Sequence, residues 1–362
     1  MQIIKPINIQ YNNITIVYDI FIINDKLYLF LPIIPKYNLH KTPNIHIKQS
    51  NILLKKHIIL HATINPIIII TCPIHIELPL NFTIICKILN TYITKEIVLN
   101  NQINISRPIE LDVSSDIINS NNTVDSTKYK LGISTLFKDD YLLFTKYYEY
   151  YKALGVNRFY MYYNGIVTPE IAVIFDKPDV ILVEWNYKYR CHNNNRYFAP
   201  IAQIMQMNAA LYKYGKLECE YMAFCDLDEY MYIPSDTTTS TNNTSTNTQP
   251  TTMLITKIDG EKQNKNINIF AFNNIFCTNE EIPWPITLSN VTLDTRIQYN
   301  YPIRSKCIYR TSNVSLLDVH APNIPSHFTT PYKVIGKFWH FNKMYRQVPN
   351  SNPSEMSLPS HS

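Results

Sequence analysis

Met222-Ala-Phe-Cys-Asp226-Leu-Asp228-Glu229-Tyr230 is an apolar run that ends in two carboxylates one residue apart, with a third directly after. A run of this length between polar flanks reads as a buried strand, and strands of an open α/β sheet place ligands just beyond their carboxyl ends. Side chains alternate along a strand, so the spacing predicts that Asp226 and Asp228 leave its end on the same side and converge. Two bare carboxylates so placed repel, and one would take up a proton. A hard divalent cation removes the conflict, because Mg²⁺ or Mn²⁺ takes one or two carboxylates and keeps places for water and phosphate oxygens. The stretch therefore points to a metal that holds a diphosphate. An isolated Asp-x-Asp also reads as a solvated turn, so its neighbourhood has to decide.

On the N-terminal side, Leu131-Gly-Ile-Ser-Thr-Leu-Phe137 reads as a buried strand and Lys138-Asp-Asp140 as a turn. Tyr141 to Leu154 then carries apolar residues at helical intervals up to Gly155, a C-cap residue. Arg158 to Tyr162 is a strand, Pro169 to Phe175 a helix and Val180 to Trp185 a strand. Phe198 to Tyr214 is a long helix, closed by Gly215, that leads into the acidic strand. This alternation predicts an α/β fold with a mostly parallel sheet covered by helices on both faces. The acidic residues stand at the end of its fourth strand.

Residues 1–125 have a different texture. Ile14 to Tyr18, Lys26 to Leu31, Lys56 to Leu60, Phe82 to Ile88 and Glu96 to Leu99 are short β-branched and aromatic runs between Asn, Pro and Asp clusters. They predict an independent, all-β sandwich-like domain. It carries no acid cluster, and His40, His46, His57, His61 and His75 read as surface or strand-face residues. A polar stretch from Asp112 to Ser126 reads as the linker to an α/β domain over 126–346. The Thr/Ser/Asn-rich residues 235–252 cannot bury apolar surface and read as a mobile loop beside the site, and residues 347–362 as a flexible tail.

With 46% hydrophobic and 17% charged residues in 362, the chain has a globular composition, which excludes a disordered protein. Its formal net charge of +5, without a Lys/Arg stripe, gives no reason for nucleic acid as a partner and suits an anionic nucleotide. The N-terminus lacks a secretory pattern, no run approaches 18 apolar residues, and the seven cysteines form no Cys-x-x-Cys pair. The expectation is a reduced, cytoplasmic protein without a transmembrane segment. The load of Ile, Asn, Lys and Tyr with only 6 Gly fits an AT-rich genome such as that of a large DNA virus, which would place the chain in host cytoplasm or virion.

Phe137-Lys-Asp-Asp140, followed by Tyr147-Tyr-Glu-Tyr-Tyr-Lys-Ala-Leu-Gly-Val-Asn-Arg-Phe-Tyr-Met-Tyr-Tyr-Asn164, resembles the opening of glycosyltransferase family 92 and its family 2-like, GT-A relatives. Val183-Glu-Trp185, Gln203 with Asn208, and Phe224-Cys-Asp-Leu-Asp-Glu-Tyr-Met-Tyr-Ile-Pro234 are similar to later motifs of that family, in the same order. The likeness spans about residues 131–345. It implies a GT-A fold, a UDP-sugar donor, a glycan or glycoconjugate acceptor, and Mn²⁺ or Mg²⁺ held by Asp226, Asp228 and a late histidine, His320. It further implies nucleotide contacts at Phe137, Lys138, Asp139, Asp140, Asn164 and Asp226, and a diphosphate or acceptor contact at His340. If transfer inverts the anomeric carbon, a base must deprotonate the acceptor, and Glu280 and Glu281 lie where such an acid is expected, although Asn279-Glu-Glu-Ile-Pro283 also reads as a plain exposed turn. The sequence departs from the family at Tyr163, where Asp is frequent, and at Asp140, where Glu is.

Two other readings use the same residues. One is a β-sandwich joined to a degenerate transferase that binds carbohydrate without turnover, and the other is phosphoryl chemistry by a hydrolase or nucleotidyl transferase. A Walker loop, a Gly-x-Ser-x-Gly elbow and a His-Glu-x-x-His site are absent from the sequence, which disfavours several further enzyme classes.

Overall fold

A computed structural model describes residues 3–11, 14–23, 25–32, 45–60, 67–75, 80–88, 91–98, 129–190, 200–233, 250–262, 267–284, 286, 289–293, 305–317, 319 and 332–341. The N-terminal strands are β1 (Ile3–Ile4), β2 (Ile9–Tyr11), β3 (Ile14–Val17), β4 (Asp19–Ile23), β5 (Lys26–Pro32), β6 (Ile45–Gln49), β7 (Ile52–Leu53), β8 (His57–Leu60), β9 (Ile67–Pro73), β10 (Asn81–Ile88) and β11 (Thr91–Val98). They form two antiparallel sheets, β4-β5-β9-β8 and β11-β10-β6-β7, with β2 paired to β3. Leu27, Leu29, Leu31, Ile68 and Ile70 of the first sheet meet Ile45, Ile47, Phe82, Ile84 and Cys86 of the second in one core. Burying a side chain of this size is worth about 1.5–3 kcal/mol, which is what makes the two sheets a sandwich.

The remainder comprises β12 (Tyr129–Phe137), α1 (Phe144–Ala153), β13 (Arg158–Tyr163), α2 (Pro169–Ile174), β14 (Val180–Glu184), α3 (Ile201–Ala210), α4 (Lys216–Glu218), β15 (Cys219–Phe224), β16 (Glu229–Tyr232), α5 (Pro250–Lys262), β17 (Ile269–Phe276), β18 (Lys306–Arg310) and β19 (Tyr332–His340). One sheet of nine strands runs β1-β14-β13-β12-β15-β18-β17-β19-β16. Its first five strands are parallel, and antiparallel pairings of β15 with β18, β18 with β17 and β19 with β16 make the other half mixed. The molecule thus has the expected α/β fold behind an all-β part. α1, α2 and α5 cover one face of the sheet, and α3 covers the other.

The two parts share a core. Because strand side chains alternate, the face of β5 opposite the sandwich carries Phe30, which clusters with Phe21 and Ile69 against Ala202, Met205, Ala209 and Tyr212 around α3. All ten residues of α3 are therefore buried, with the large sheet on one side and the N-terminal sheet on the other. Lys213 pairs with Asp19 at 3.1 Å across this contact, both side chains buried. The Tyr187 hydroxyl donates to the Tyr18 carbonyl at 2.5 Å, and β1 extends the large sheet beside β14. The linker and the boundary expected near residue 125 lie outside the described residues, as does most of the Thr/Ser/Asn-rich segment, of which residues 250–252 begin α5.

Gly155 ends α1 with φ of 89°, as its position implied. Gly215 does not cap α3. The helix widens into a π turn over Leu211–Gly215 and continues to Glu218, with Gly215 at a helical φ of −53°. A side chain is excluded there for a packing reason, since a Cβ would lie 2.8 Å from Met222 Sδ. Among the described residues no helix is long and apolar enough to cross a membrane.

Candidate active site

The chain turns sharply after β15. The Glu229 N–H donates to the Asp226 carbonyl over 3.1 Å, so Asp226, Leu227 and Asp228 form a turn between β15 and β16. The alternation expected of an extended strand end is lost there, and the two aspartates reach different surroundings. Tyrosines of α1, on one helix face, brace this turn from behind. The Tyr151 hydroxyl donates to the Glu229 carbonyl (2.8 Å) and accepts from the Met231 N–H (3.1 Å). Those of Tyr150 and Tyr147 donate to the carbonyls of Met231 (2.8 Å) and Cys225 (3.3 Å).

Asp226 is about a quarter exposed and fully engaged. Its Oδ1 accepts from Gln203 Nε2 at 3.1 Å and its Oδ2 from Lys306 Nζ at 2.9 Å, while Gln203 is steadied by the Tyr189 hydroxyl at 2.8 Å. Lys306 heads β18 beside β15, and its Nζ also lies 3.0 Å from Glu229 Oε2. Glu229 Oε2 accepts the Asp226 N–H at 2.7 Å, which closes a small ring of contacts. Burial works to lower the Lys306 ammonium's pKa, but Asp226 and Glu229 outweigh it and hold it raised. The Glu229 carboxyl is pushed up by burial, against the pull of Lys306.

Asp228 is 0% exposed, and neither of its oxygens has a hydrogen-bond partner. Antiparallel pairing of Glu229 with His340 sets the imidazole beside it, with Nε2 3.4 Å from Asp228 Oδ2 and the ring stacked on Phe276. Burial would lower the His340 pKa, but the Asp228 and Glu229 carboxylates together raise it. Asp140, at the turn after β12, has its carboxyl pushed up to about 7, first by burial and then by the charges of Asp228 and Asp226. Between β12, β15 and α3 lies a narrow cleft of about 10 Å³, room for about one water, lined by Ser134, Thr135, Gln203, Gln206, Asp226 and Lys306 among others. Here the parallel order departs from β12 in two directions, the place where open α/β sheets bind ligands. The Thr135 hydroxyl is buried without a partner at its edge.

Of the sequence-predicted residues, Asp140, Asp226, Asp228 and His340 are thus brought together. Lys138 and Asp139 are exposed in the turn that Asp140 stabilises by accepting the Lys138 N–H at 3.1 Å. Phe137 is buried against Phe175, and Asn164 holds the Tyr187 N–H at 3.3 Å, so both support the site's walls. Glu280 and Glu281 are exposed on the loop leaving β17, which starts where the Cys277 N–H donates to the His340 carbonyl. His320 lies outside the described residues. The segment before it is tied to α3 by Asn208, which exchanges two hydrogen bonds with the Leu317 backbone.

Among the described residues no three His, Cys, Asp or Glu side chains stand together as a complete metal cage. Asp228 still fits a cation on its own chemistry, because a buried carboxylate without hydrogen bonds is costly until a ligand supplies the partner. Sequence reasoning did not find Lys306 or the part played by Gln203. A lysine opening an apolar strand, Lys306-Cys-Ile-Tyr, was the available signal, since such a charge needs a buried partner.

The family model of glycosyltransferase family 92 matches residues 128–361, well over half of the chain. The chain belongs to glycosyltransferase family 92. The match begins at the head of β12 and leaves the all-β residues outside it. No curated protein matches the chain. As a family 92 glycosyltransferase the protein has a sugar donor and an acceptor as its partners, and the acidic turn, His340 and the cleft are its candidate active site.

Proposed function

We propose that this glycosyltransferase moves a hexose from a UDP-sugar to a hydroxyl of a glycan or glycoconjugate, with Mn²⁺ or Mg²⁺ at the acidic turn. The observation that carries this reading is Asp228, a buried carboxylate just beyond a strand's carboxyl end, with no hydrogen bond on either oxygen among the described residues and His340 beside it at 3.4 Å. Asp228, with His320 as a further ligand, would hold the ion, which when bound supplies Lewis-acid stabilisation of the diphosphate leaving group, while Asp226 stands beside it with its oxygens taken by Gln203 and Lys306. The chain's own residues do the rest. At the cleft the Thr135 hydroxyl, buried without a partner, is open to a donor group, whereas Ser134 bonds the Tyr160 carbonyl and Gln206, and Gln203 holds Asp226. Lys138, Asp139 and Asp140 shape its rim. Under an inverting course, Glu280 or Glu281 takes the acceptor proton from the loop that starts beside His340.

The test is UDP release from a panel of UDP-sugars, with and without acceptor and with and without Mn²⁺. Release that needs Mn²⁺ and disappears in Asp228→Asn supports the reading. Tight donor binding without turnover would make the protein a carbohydrate-binding relative, and turnover indifferent to Mn²⁺ and chelator would remove the metal.

A further inference from the structure

The acidic turn presents three carboxylates within four residues, yet a single buried ammonium divides them. Lys306, 5% exposed, places Nζ 2.9 Å from Asp226 Oδ2 and 3.0 Å from Glu229 Oε2. Gln203 takes the other oxygen of Asp226, and the Asp226 N–H takes Glu229 Oε2 a second time. Asp228 has no hydrogen bond on either oxygen, and its charged neighbour is His340, whose Nε2 lies 3.4 Å from Oδ2. We propose that Lys306 is a positioning residue that locks Asp226 and Glu229 into an internal ion-paired ring and leaves Asp228 as the carboxylate of this turn that meets the donor's cation and diphosphate. The inference rests on the transferase reading for what Asp228 meets, but not for the ring itself.

The physical case has two parts. Three adjacent carboxylates repel, and one built-in cation, already desolvated and held by two partners, offsets that repulsion without recruiting an ion from solution. The same ammonium joins β18 to both ends of the turn, so that the direction in which Asp228 points is set by a strand contributed from 78 or more residues downstream. Freed of Lys306, Asp226 and Glu229 would themselves attract a hard cation, in a geometry that no longer delivers it to the diphosphate.

The experiment measures Mn²⁺ binding by loss of the free-ion resonance, UDP binding in its presence, and donor KM, all on the full chain. Asp228→Asn should weaken Mn²⁺-dependent UDP binding more than tenfold, and Asp226→Asn less than threefold. Lys306→Met should bind Mn²⁺ alone at least as tightly as the parent while its UDP affinity falls tenfold or more, a split that a merely structural lysine would not produce. Lys306→Arg, which keeps the charge, should recover part of that loss. Asp226→Asn as damaging as Asp228→Asn would overturn the proposal, and this comparison decides the matter if Lys306→Met does not fold. If the parent binds neither Mn²⁺ nor UDP, the transferase reading of the site is what fails. A double-mutant cycle then judges the ring: the proposal expects Asp226→Asn to restore part of the unfolding midpoint lost in Lys306→Met, and additive losses would refute it.

Discussion

Replacing Asp228 by Asn should make the ligand-free enzyme more stable while removing the metal-dependent donor binding proposed for it. Both carboxylate oxygens are buried without hydrogen bonds, and an unsatisfied buried polar group costs about 1–3 kcal/mol, more when charged. The charge is also felt next door, since Asp228 is the second cause, after burial, that pushes the Asp140 carboxyl up to about 7. Against this stands His340 at 3.4 Å, whose imidazolium is attracted to Asp228. That attraction has a sign in pH. The raised His340 pKa means a contribution to stability that is complete below the unfolded value of 6.5 and lost as pH rises through the folded value. Asn forfeits it, so the variant's advantage should be largest on the alkaline side, at about 1–2 kcal/mol, and shrink toward acid pH. For a chain of this size that is an increase of at most about 2–4 °C in Tm per kcal/mol. Scanning fluorimetry with and without Mn²⁺ and UDP reads both halves: ligand at about 100 times its Kd adds about 2.7 kcal/mol to the parent and less than about 1.4 kcal/mol to a variant that binds more than tenfold more weakly. A ligand-free Asp228→Asn that melts below the parent on the alkaline side would mean that the chain itself satisfies this carboxylate, and the case for a cation there would fall.

The parts of the fold legible in the sequence were those written in local periodicity. Leu131 to Phe137, Arg158 to Tyr162 and Met222 to Phe224 are apolar runs with no polar face, the signature of strands covered on both sides, and all lie in the parallel half of the sheet. The shared core was less legible, although its mark is present. Leu27-Tyr-Leu-Phe-Leu31 lacks the polar alternation of a sandwich's outer face because Phe30 is buried against the α3 layer. The site divides in the same way. Asp226 and Asp228 declare themselves by spacing, and Gln203 and Asn208 by likeness to the family. What these last two do, holding Asp226 and the backbone of Leu317, depends on contacts between residues 23 and 109 positions apart. Lys306 lies 80 positions from its partner Asp226, and no local pattern encodes such a pairing. The alternation expected at Asp226 fails because the chain turns there, the Glu229 N–H bonding the Asp226 carbonyl, while tyrosine hydroxyls of α1 hold the strand that follows.

Tyr151→Phe should lower stability by about 1–3 kcal/mol, because the Met231 N–H and the Glu229 carbonyl both lose a buried partner, and it should reduce kcat/KM while leaving the far-ultraviolet spectrum unchanged. Wild-type stability in this variant would mean that water fills the gap. Removing residues 1–125 should yield an aggregating chain, since α3 then exposes Ala202, Met205 and Tyr212; a monomeric, cooperatively melting product in gel filtration and calorimetry would contradict the shared core. Lys213→Met tests the same contact at one point. Stripping one partner from a buried pair costs about 3–5 kcal/mol, because Asp19 is left charged at 1% exposure. Burial already raises the Asp19 pKa above 3.8 against the pull of Lys213, and without the lysine it climbs further. An acid raised on folding takes up a proton in the folded state, so stability falls as pH rises through its folded value and returns as pH drops toward 3.8. The variant's deficit in urea unfolding should therefore be largest near neutral pH, narrow toward acid, and lose its pH dependence when Asp19→Asn is added. A deficit equal at both pH values and indifferent to Asp19→Asn would show that this ion pair does not hold the N-terminal sheet to α3, the helix that carries Gln203 to Asp226.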